Sequence, residues 1–340
     1  VTAVLLGHWE PGTPDWHAAR ADGLGGSEVP AAMGLSPFES PFSLWHRKAG
    51  AVGPVEESPE MEWGKRLEPV IVAKFFDVHP EYDAWTTGTY THVDRPWQIA
   101  NPDMLFAPTC PRYPRDGDGG EVDAVIHDTD CCPEAPTGLL ETKYSMFGDG
   151  WGDSGTADIP IHVRIQTLWY GDVLGLDQLH VAVLIGGCDW REYVITPAPG
   201  ELDQIRAAAR QFLDTIAAGQ RPDIDEHTAT YQVIKEMHPD IDGGQVELTA
   251  PVAEGYIAAK SLEKAAKDTA RGWTARVADQ MGNAHRAVWD GKTIATRQAR
   301  DGGTPYVVIG RGLTSTDEPV LVGAATGADR FDLRPHEESF

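Results

Sequence analysis

Two acids and a lysine define the chemistry open to this chain. In Asn101-Pro102-Asp103-Met104-Leu105 an aspartate stands at the mouth of an apolar run, Met104, Leu105 and Phe106, that reads as a strand. In Gly138-Leu139-Leu140-Glu141-Thr142-Lys143 a glutamate and a lysine stand two apart. Strand side chains alternate faces, so Glu141 and Lys143 share one face while Leu140 and Thr142 take the other. A neighbouring strand could bring the Asp103 carboxylate beside Glu141. Such a hard, anionic oxygen site suits magnesium, which binds through one or two carboxylates and keeps several waters. Manganese accepts the same ligands. Lys143 is suited to position a water or to stabilise charge developing on a phosphate. Pro-Asp and Glu-x-Lys both arise by chance, so the weight of the pattern rests on its surroundings.

The elements around these residues supply further candidates. Ser58-Pro59-Glu60 reads as a helix start, and the spacing predicts a helix to about Phe76 that buries Met61, Leu67, Val70, Ile71 and Phe75 or Phe76. Pro69 predicts a kink or a break just after Glu68. Gly64 and Glu68, four apart, share a face, and the missing side chain leaves room for a metal or a scissile phosphate beside the acid. The plainer reading is a glycine tolerated for packing and a solvated Glu68. Residues 144–158 read as a Gly/Asp/Ser loop at the mouth of the pocket. Residues 161–174 read as an amphipathic helix with Ile161, Ile165, Leu168 and Trp169 in its stripe and Gln166 on a different face. Strands at 179–185 and 192–195 then form a hairpin, and 201–218 is a helix closed by Gly219.

Near the N-terminal end, the glycine-rich turn Gly23-Leu24-Gly25-Gly26-Ser27 lies between two short helices, 16–20 and 29–33. Backbone N–H groups in such a turn suit an anion, and Arg20 and the Ser27 hydroxyl could add donors. The alternative is a plain interhelix turn with Ser27 as N-cap. Residues 108–137, rich in Pro, Gly and Asp, read as a surface excursion in which Asp123 and Asp128 are solvated. Helix, strands, helix and strand in this order indicate an α+β fold, a mixed central sheet flanked by helices. The composition shifts near residue 225, after which residues 250–281 read as one long helix with an apolar stripe, and Asp290-Gly291 as a hairpin turn. The expected organisation is a catalytic domain over 1–225, a helix-and-hairpin extension over 226–313 and an acidic, weakly ordered tail over 314–340.

With 340 residues and 41% hydrophobic content the chain can bury a substantial core. No apolar run approaches a membrane span, and Val4-Leu5-Leu6 is too short for a signal-peptide core, so the expectation is a soluble, cytoplasmic protein without a membrane partner. Cys110, Cys131, Cys132 and Cys188 fit neither a metal knuckle nor a secreted disulfide framework and read as structural thiols. A formal charge of -24 argues against non-specific coating of nucleic acid. It allows a local basic channel: Arg20, Arg47, Lys48, Lys65, Arg66 and Lys74 gather in the first third, and a negative exterior would repel DNA everywhere except a focused cleft.

Taken together, Trp16, Arg20, Gly26-Ser27, Gly64, Glu68, Pro102-Asp103, Glu141-Thr142-Lys143 and Gln166 stand in an order that resembles the YqaJ-like viral recombinases, relatives of phage lambda exonuclease within the PD-(D/E)xK nuclease superfamily. The resemblance covers roughly residues 14–196. It implies a restriction-endonuclease-like core, a phage or prophage origin, and magnesium-dependent digestion of double-stranded DNA from its 5′ ends that leaves 3′ single strands for recombination. By the same resemblance Asp103 and Glu141 would hold the principal metal with the Thr142 carbonyl, and Glu68 would serve a second. Lys143 would orient or activate the attacking water, Gln166 would help position Lys143 or the substrate, and Arg20 and Ser27 would form a 5′-phosphate pocket. It also implies a ring-shaped trimer threaded by DNA, and a single-strand annealing protein as partner. The long Asp103–Glu141 interval and the overall acidity are departures from the family pattern.

Two other readings stand beside the exonuclease. An endonuclease on the same core would nick a closed circular duplex, which an end-dependent enzyme leaves intact. A pure DNA-end-binding module would have lost an acid or the lysine, and Asp103, Glu141 and Lys143 are all present. A nucleotide-driven motor finds no support, because no GxxxxGK[ST] loop occurs.

Overall fold

Short elements open the chain because prolines and glycines punctuate it closely: β1 (Ala3–Gly7), α1 (Pro14–Ala19), β2 (Leu24–Gly25), α2 (Val29–Ala32) and α3 (Pro41–Lys48). The helix α4 (Pro59–Val78) follows, capped by the Ser58 side chain and started by Pro59 as its sequence predicts. Next come β3 (Tyr82–Trp85), β4 (Thr89–His92), β5 (Gln98–Ala100), β6 (Met104–Pro108) and β7 (Gly138–Ser145). The helix α5 (Ile161–Leu174), the hairpin β8 (Gln178–Ile185) and β9 (Asp189–Val194), and helices α6 (Glu201–Ala217) and α7 (Thr228–Met237) complete the series. The structure, a computed structural model, describes residues 2–10, 12–85, 87–109, 135–300 and 302–310. Most of the 108–137 excursion, with Asp123, Asp128, Cys110, Cys131 and Cys132, and the acidic tail expected from 314 lie outside the described residues.

The central sheet has the order β3-β6-β7-β8-β9, and only β7 and β8 run parallel. A parallel pair cannot be closed by a hairpin, and α5 is the crossover that joins it. Alternation along the strands divides the core in two. Leu105, Leu139, Val181 and Val183 face α5 and α6, where Val163, Leu168, Trp169, Ile205 and Phe212 are buried. Phe106, Leu140 and Ala182 face α4 and its Ile71, Phe75 and Phe76. This is the mixed central sheet flanked by helices, the α+β arrangement, that the sequence leads one to expect. A smaller sheet, β1-β4-β5-β2, packs on the other side of α5.

Two helices depart from their sequence patterns. Because α5 lies between the two sheets, it is buried nearly all round, with Thr167, Tyr170 and Gly171 as enclosed as Leu168, while Ile161 of the expected stripe is exposed. α4 continues as helix through Pro69, which is exposed, so the carbonyl left without an N–H partner can meet water. Its N-terminal half leaves Met61 and Trp63 in solvent, Val70 is exposed as well, and burial begins at Ile71.

The chain divides into two compact units, Val1–Asp242 and Gly243–Phe340. α7 goes with the first: Thr230 Oγ1 is 2.6 Å from Ser40 Oγ, the N-cap of α3, and Val233 is buried. The composition change near 225 therefore falls inside that unit. In the second, α8 (Ala250–Met281) precedes the antiparallel sheet of β10 (Arg286–Trp289), β11 (Lys292–Gln298) and β12 (Tyr306–Ile309). Asp290 and Gly291, at φ 49° and 71°, make the tight turn their types predict. No helix among the described residues is long and apolar enough to cross a membrane.

A buried carboxylate ties the crossover helix to its neighbours. Asp172 on α5 accepts from Gln98 Nε2 of β5 at 2.9 Å and from Arg206 Nε of α6 at 2.8 Å, and pairs with Arg95 at 3.3 Å. Burial alone would raise its pKa, but Arg206, Gln98 and Arg95 together hold it below the ordinary value. Its contribution is therefore present above that ordinary value and is lost as pH falls through the depressed one. Asp172→Asn is expected to lower unfolding free energy by about 1–3 kcal/mol at neutral pH. Urea titrations should show the two proteins converging as the pH drops below the carboxyl's own pKa.

Candidate active site

The β6–β7 ladder pairs Met104 with Leu140 and Leu105 with Leu139, so its next step sets Asp103 beside Glu141. Asp103 is fixed there by Thr142, whose backbone N–H and hydroxyl donate to Oδ2 at 2.7 and 2.8 Å. Among the described residues no hydrogen bond falls on Oδ1. Glu141 is 1% exposed. Its Oε1 accepts from Lys143 Nζ and, at 2.6 Å, from Gln166 Nε2 of α5. Glu141 and Lys143 thus share a face, as alternation requires. Gln166, read only as lying off the apolar stripe, is turned onto Glu141. Glu141 Oε2 is buried with no partner.

An unpartnered carboxylate oxygen in an apolar environment is costly unless it is protonated or meets a cation. Burial first, then repulsion from Asp103, pushes Glu141 up to about 8, against the partial relief of Lys143. Glu68, on the half-exposed face of α4, is pushed up to about 7 by burial and again by Asp103. Burial pulls Lys143 down, but Glu141, Asp103 and Glu68 outweigh it and raise its pKa. These mutual influences gather Glu68, Asp103, Glu141 and Lys143 into one electrostatic site with three carboxyl groups and one ammonium. A Cβ built on Gly64 meets nothing, so the space a turn before Glu68 is open. Hard oxygen donors with an excess of negative charge and one orphaned lone-pair set fit a divalent cation of the magnesium type.

Two further residues belong to this site and were not legible in the sequence. Tyr170, one turn after Gln166, takes a 3.3 Å contact from Gln166 Nε2, and burial followed by the Glu141 charge drives its pKa upward. His162, at the start of α5, is pulled down by burial and then by Lys143. Neither belongs to a motif, and only the crossover brings them in.

Arg20 and Ser27 lie at a separate cavity of about 1030 Å³, lined also by Trp16, Arg47, Lys48 and Lys65. Arg20 is buried, with its guanidinium 3.9 Å over the Trp16 ring and its Nε unpartnered. Ser27 is exposed, and Glu28, not Ser27, stands at the N-cap of α2. A side chain at Gly25 would strike the Arg20 guanidinium and one at Gly26 the Tyr170 ring, which accounts for both glycines. The cations here are not bare: Glu28 pairs with Arg20 at 3.3 Å and Lys48 at 2.9 Å, Glu39 with Arg47 at 2.8 Å, and Glu57 with Lys65 at 2.8 Å. Burial would raise Glu28, but Arg20 and Lys48 outweigh it and hold its pKa low.

Residues 15–281 match the family model of the YqaJ-like viral recombinase domain. Uncharacterized protein YqaJ of Bacillus subtilis (strain 168) is 27% identical over 267 residues, which cover 73% of this chain and 70% of the relative. Among solved structures, an alkaline exonuclease (LHK-Exo) from Laribacter hongkongensis is similar over 61% of this chain and 94% of its own, at 18% identity and a TM-score of 0.42. LHK-Exo in complex with dAMP gives 16% identity and the same coverage and TM-score.

The raised Glu141 pKa has a stability consequence. Between the ordinary value of 4.5 and about 8 the folded chain binds more protons at this carboxyl than the unfolded chain, so stability falls as pH rises through that window. In chelator, Glu141→Gln is expected to melt about 2–4 °C above the parent at pH 8–9 and level with it near the lower end of the window. Added Mg2+ should raise the parent's melting temperature and leave the variant's unchanged, as read by differential scanning fluorimetry.

Proposed function

The chain belongs to the YqaJ-like viral recombinase family, and we propose that it is a magnesium-dependent exonuclease that degrades one strand of duplex DNA 5′ to 3′ from its ends, leaving 3′ single-stranded overhangs. The observation that carries this reading is the buried, unpartnered Glu141 Oε2 beside Asp103 and Glu68. Binding modules have no use for a carboxylate kept in this state. A nuclease does.

In this reading Asp103, Glu141 and the Thr142 carbonyl hold the principal ion and Glu68 a second, with manganese as a possible substitute. When bound, the ions supply charge neutralisation at the scissile phosphate and a more acidic water. Thr142 donates two bonds to Asp103 and so fixes which oxygen faces the pocket. Gln166 holds the Glu141 rotamer through Oε1 and leaves Oε2 to the pocket. Lys143 orients the attacking water or steadies charge on the phosphoryl oxygens. Arg20 and Ser27 receive the 5′-phosphate, which must compete with Glu28 for the guanidinium. A ring of three copies threaded by DNA, a single-strand annealing partner, and action in the host cytoplasm during phage recombination complete the proposal.

Digestion of linear duplexes that differ only in 5′ phosphorylation, beside a closed circular duplex, tests it. Loss of the phosphorylated end's strand in Mg2+ and none in chelator is expected, with the circle intact. Glu141→Ala and Lys143→Ala should each lose about 10²–10³-fold in rate, the scale of removing a group that stabilises transition-state charge. Full digestion by either variant would sink the nuclease reading, and a nicked circle would replace the exonuclease with an endonuclease on the same core.

A further inference from the structure

A second group of ligand-bearing side chains sits away from Glu141, under the C-terminal end of α4. His79 is the C-cap of that helix, His180 lies on β8 and Glu192 on β9, and one ligand atom from each lies within 4.8 Å of the others. His79 Nε2 is 2.9 Å from both Glu192 oxygens, and His180 Nδ1 is 2.8 Å from Oε1. We propose that these three residues bind a first-row divalent ion of the zinc class, which staples the end of α4 to the β8–β9 hairpin.

The donor types set this site apart from the carboxylate centre. Two imidazoles with one carboxylate suit zinc and its neighbours, whereas magnesium takes oxygen ligands. Each donor comes from a different rigid element. In the β8–β9 ladder Ala182 pairs with Glu192, which puts Glu192 diagonal to His180 on one face of the sheet. The His79 backbone N–H is tied to Phe75 O at 2.9 Å. A tetrahedral ion with bonds of about 2.0–2.1 Å spaces its ligand atoms by roughly 3.3 Å; the two imidazole–carboxylate contacts, at 2.8 and 2.9 Å, would open slightly to receive it, while the two imidazole nitrogens stand within 4.8 Å of each other.

The surroundings match a metal's needs in two ways. His79 turns its other nitrogen, Nδ1, to Glu81 Oε1 at 3.0 Å, the carboxylate contact that orients an imidazole and raises its basicity toward a metal. On the inner side Phe75 and Phe106 stand 5.4 and 5.3 Å from the His180 ring, edge-on, as an apolar wall. On the outer side the three side chains remain 20, 10 and 16% exposed, which gives an ion a way in and leaves a position for water or the second Glu192 oxygen. Serine and glycine of the 146–160 loop also fasten here: Ser154 Oγ accepts from the Glu192 N–H at 3.1 Å, and the Gly155 N–H donates to Glu192 O at 2.8 Å. The same helix carries Glu68, so the staple would anchor one ligand helix of the nuclease site without entering its chemistry.

Imidazoles hydrogen-bonded to Glu192 would give similar contacts with no ion, and experiment separates the cases. The full chain carrying Asp103→Asn and Glu141→Gln, which disables the carboxylate centre, is stripped with chelator and titrated with Zn2+ alone and with Co2+ alone. A zinc equivalent that survives gel filtration and raises the melting temperature is expected, with cobalt giving intense visible bands and no thiolate charge-transfer band. His79→Ala or His180→Ala should weaken zinc binding at least 100-fold and remove the bands. Glu81→Gln, at an exposed carboxylate, should weaken it about 10–100-fold. Should the histidine variants fail to fold, Glu81→Gln decides. Zinc affinity unchanged by Glu81→Gln, a cobalt spectrum with thiolate character, or no zinc retained at all would overturn the proposal.

Discussion

Like charges forced together under burial are the constraint on which this architecture depends. Glu141 lies inside the protein beside Asp103 and feels Glu68; the Lys143 ammonium offsets the three, and Lys65 adds its relief at Glu68. At low effective dielectric this crowding opposes folding by several kcal/mol in the absence of a cation. The opposing force comes from both faces of the sheet: Leu139, Val181, Val183 and Trp169 on one side, Leu140, Phe106, Ile71 and Phe75 on the other. The eight-pair parallel register of β7 and β8 keeps Glu141 and Lys143 from slipping to the wrong face. Stability is thus supplied by the layers and spent at the centre, where a divalent ion would return part of it.

One side chain links the carboxylate site to the Arg20 turn. Tyr170 packs its ring against Gly26 of the Arg20 turn and meets Gln166, which in turn holds Glu141. Its hydroxyl feels both Glu141 and Arg20. A glycine at 26 is needed for that contact, and so the glycine-rich turn, which first suggests an anion cradle, also serves as the packing surface for the helix that carries the site. Local chemistry and tertiary packing ask for the same residue here.

What the sequence discloses follows from how local each cause is. Alternation along β7, the Ser58-Pro59 helix start and the Asp290-Gly291 turn each depend on a few neighbouring residues and can be read from the chain, whereas the adjacency of Asp103 to Glu141 takes the β6–β7 pairing of separated segments. The all-round burial of α5 cannot be so read, because it depends on the second sheet that β1, β2, β4 and β5 build from distant segments. Pro69 misleads for a related reason: a proline breaks a helix when its orphaned carbonyl is buried, and this one lies on the solvent side. His79, His180 and Glu192 share no motif spacing at all. Only the ladder and the end of α4 bring them together.

The acidity of the chain acquires a structural meaning at the Arg20 cavity. Arg20, Arg47, Lys48 and Lys65 each face a glutamate, so the cavity holds its cations in a neutralised state. On the proposed function, a DNA phosphate entering it would replace a carboxylate as the partner of a guanidinium or ammonium and would not simply add to a bare positive field. Exchange of one anion for another yields little net Coulombic gain per contact, so an isolated backbone phosphate passing over this surface has little reason to stay. A doubly charged terminal phosphate carries more charge and more acceptor oxygens than the single carboxylate it displaces, and it gains where a diester does not. Together with a formal charge of -24 on the whole chain, this pairing would give the proposed exonuclease a physical basis for preferring strand ends over continuous duplex. It would reconcile a strongly acidic protein with the proposed nucleic acid substrate without requiring a basic face.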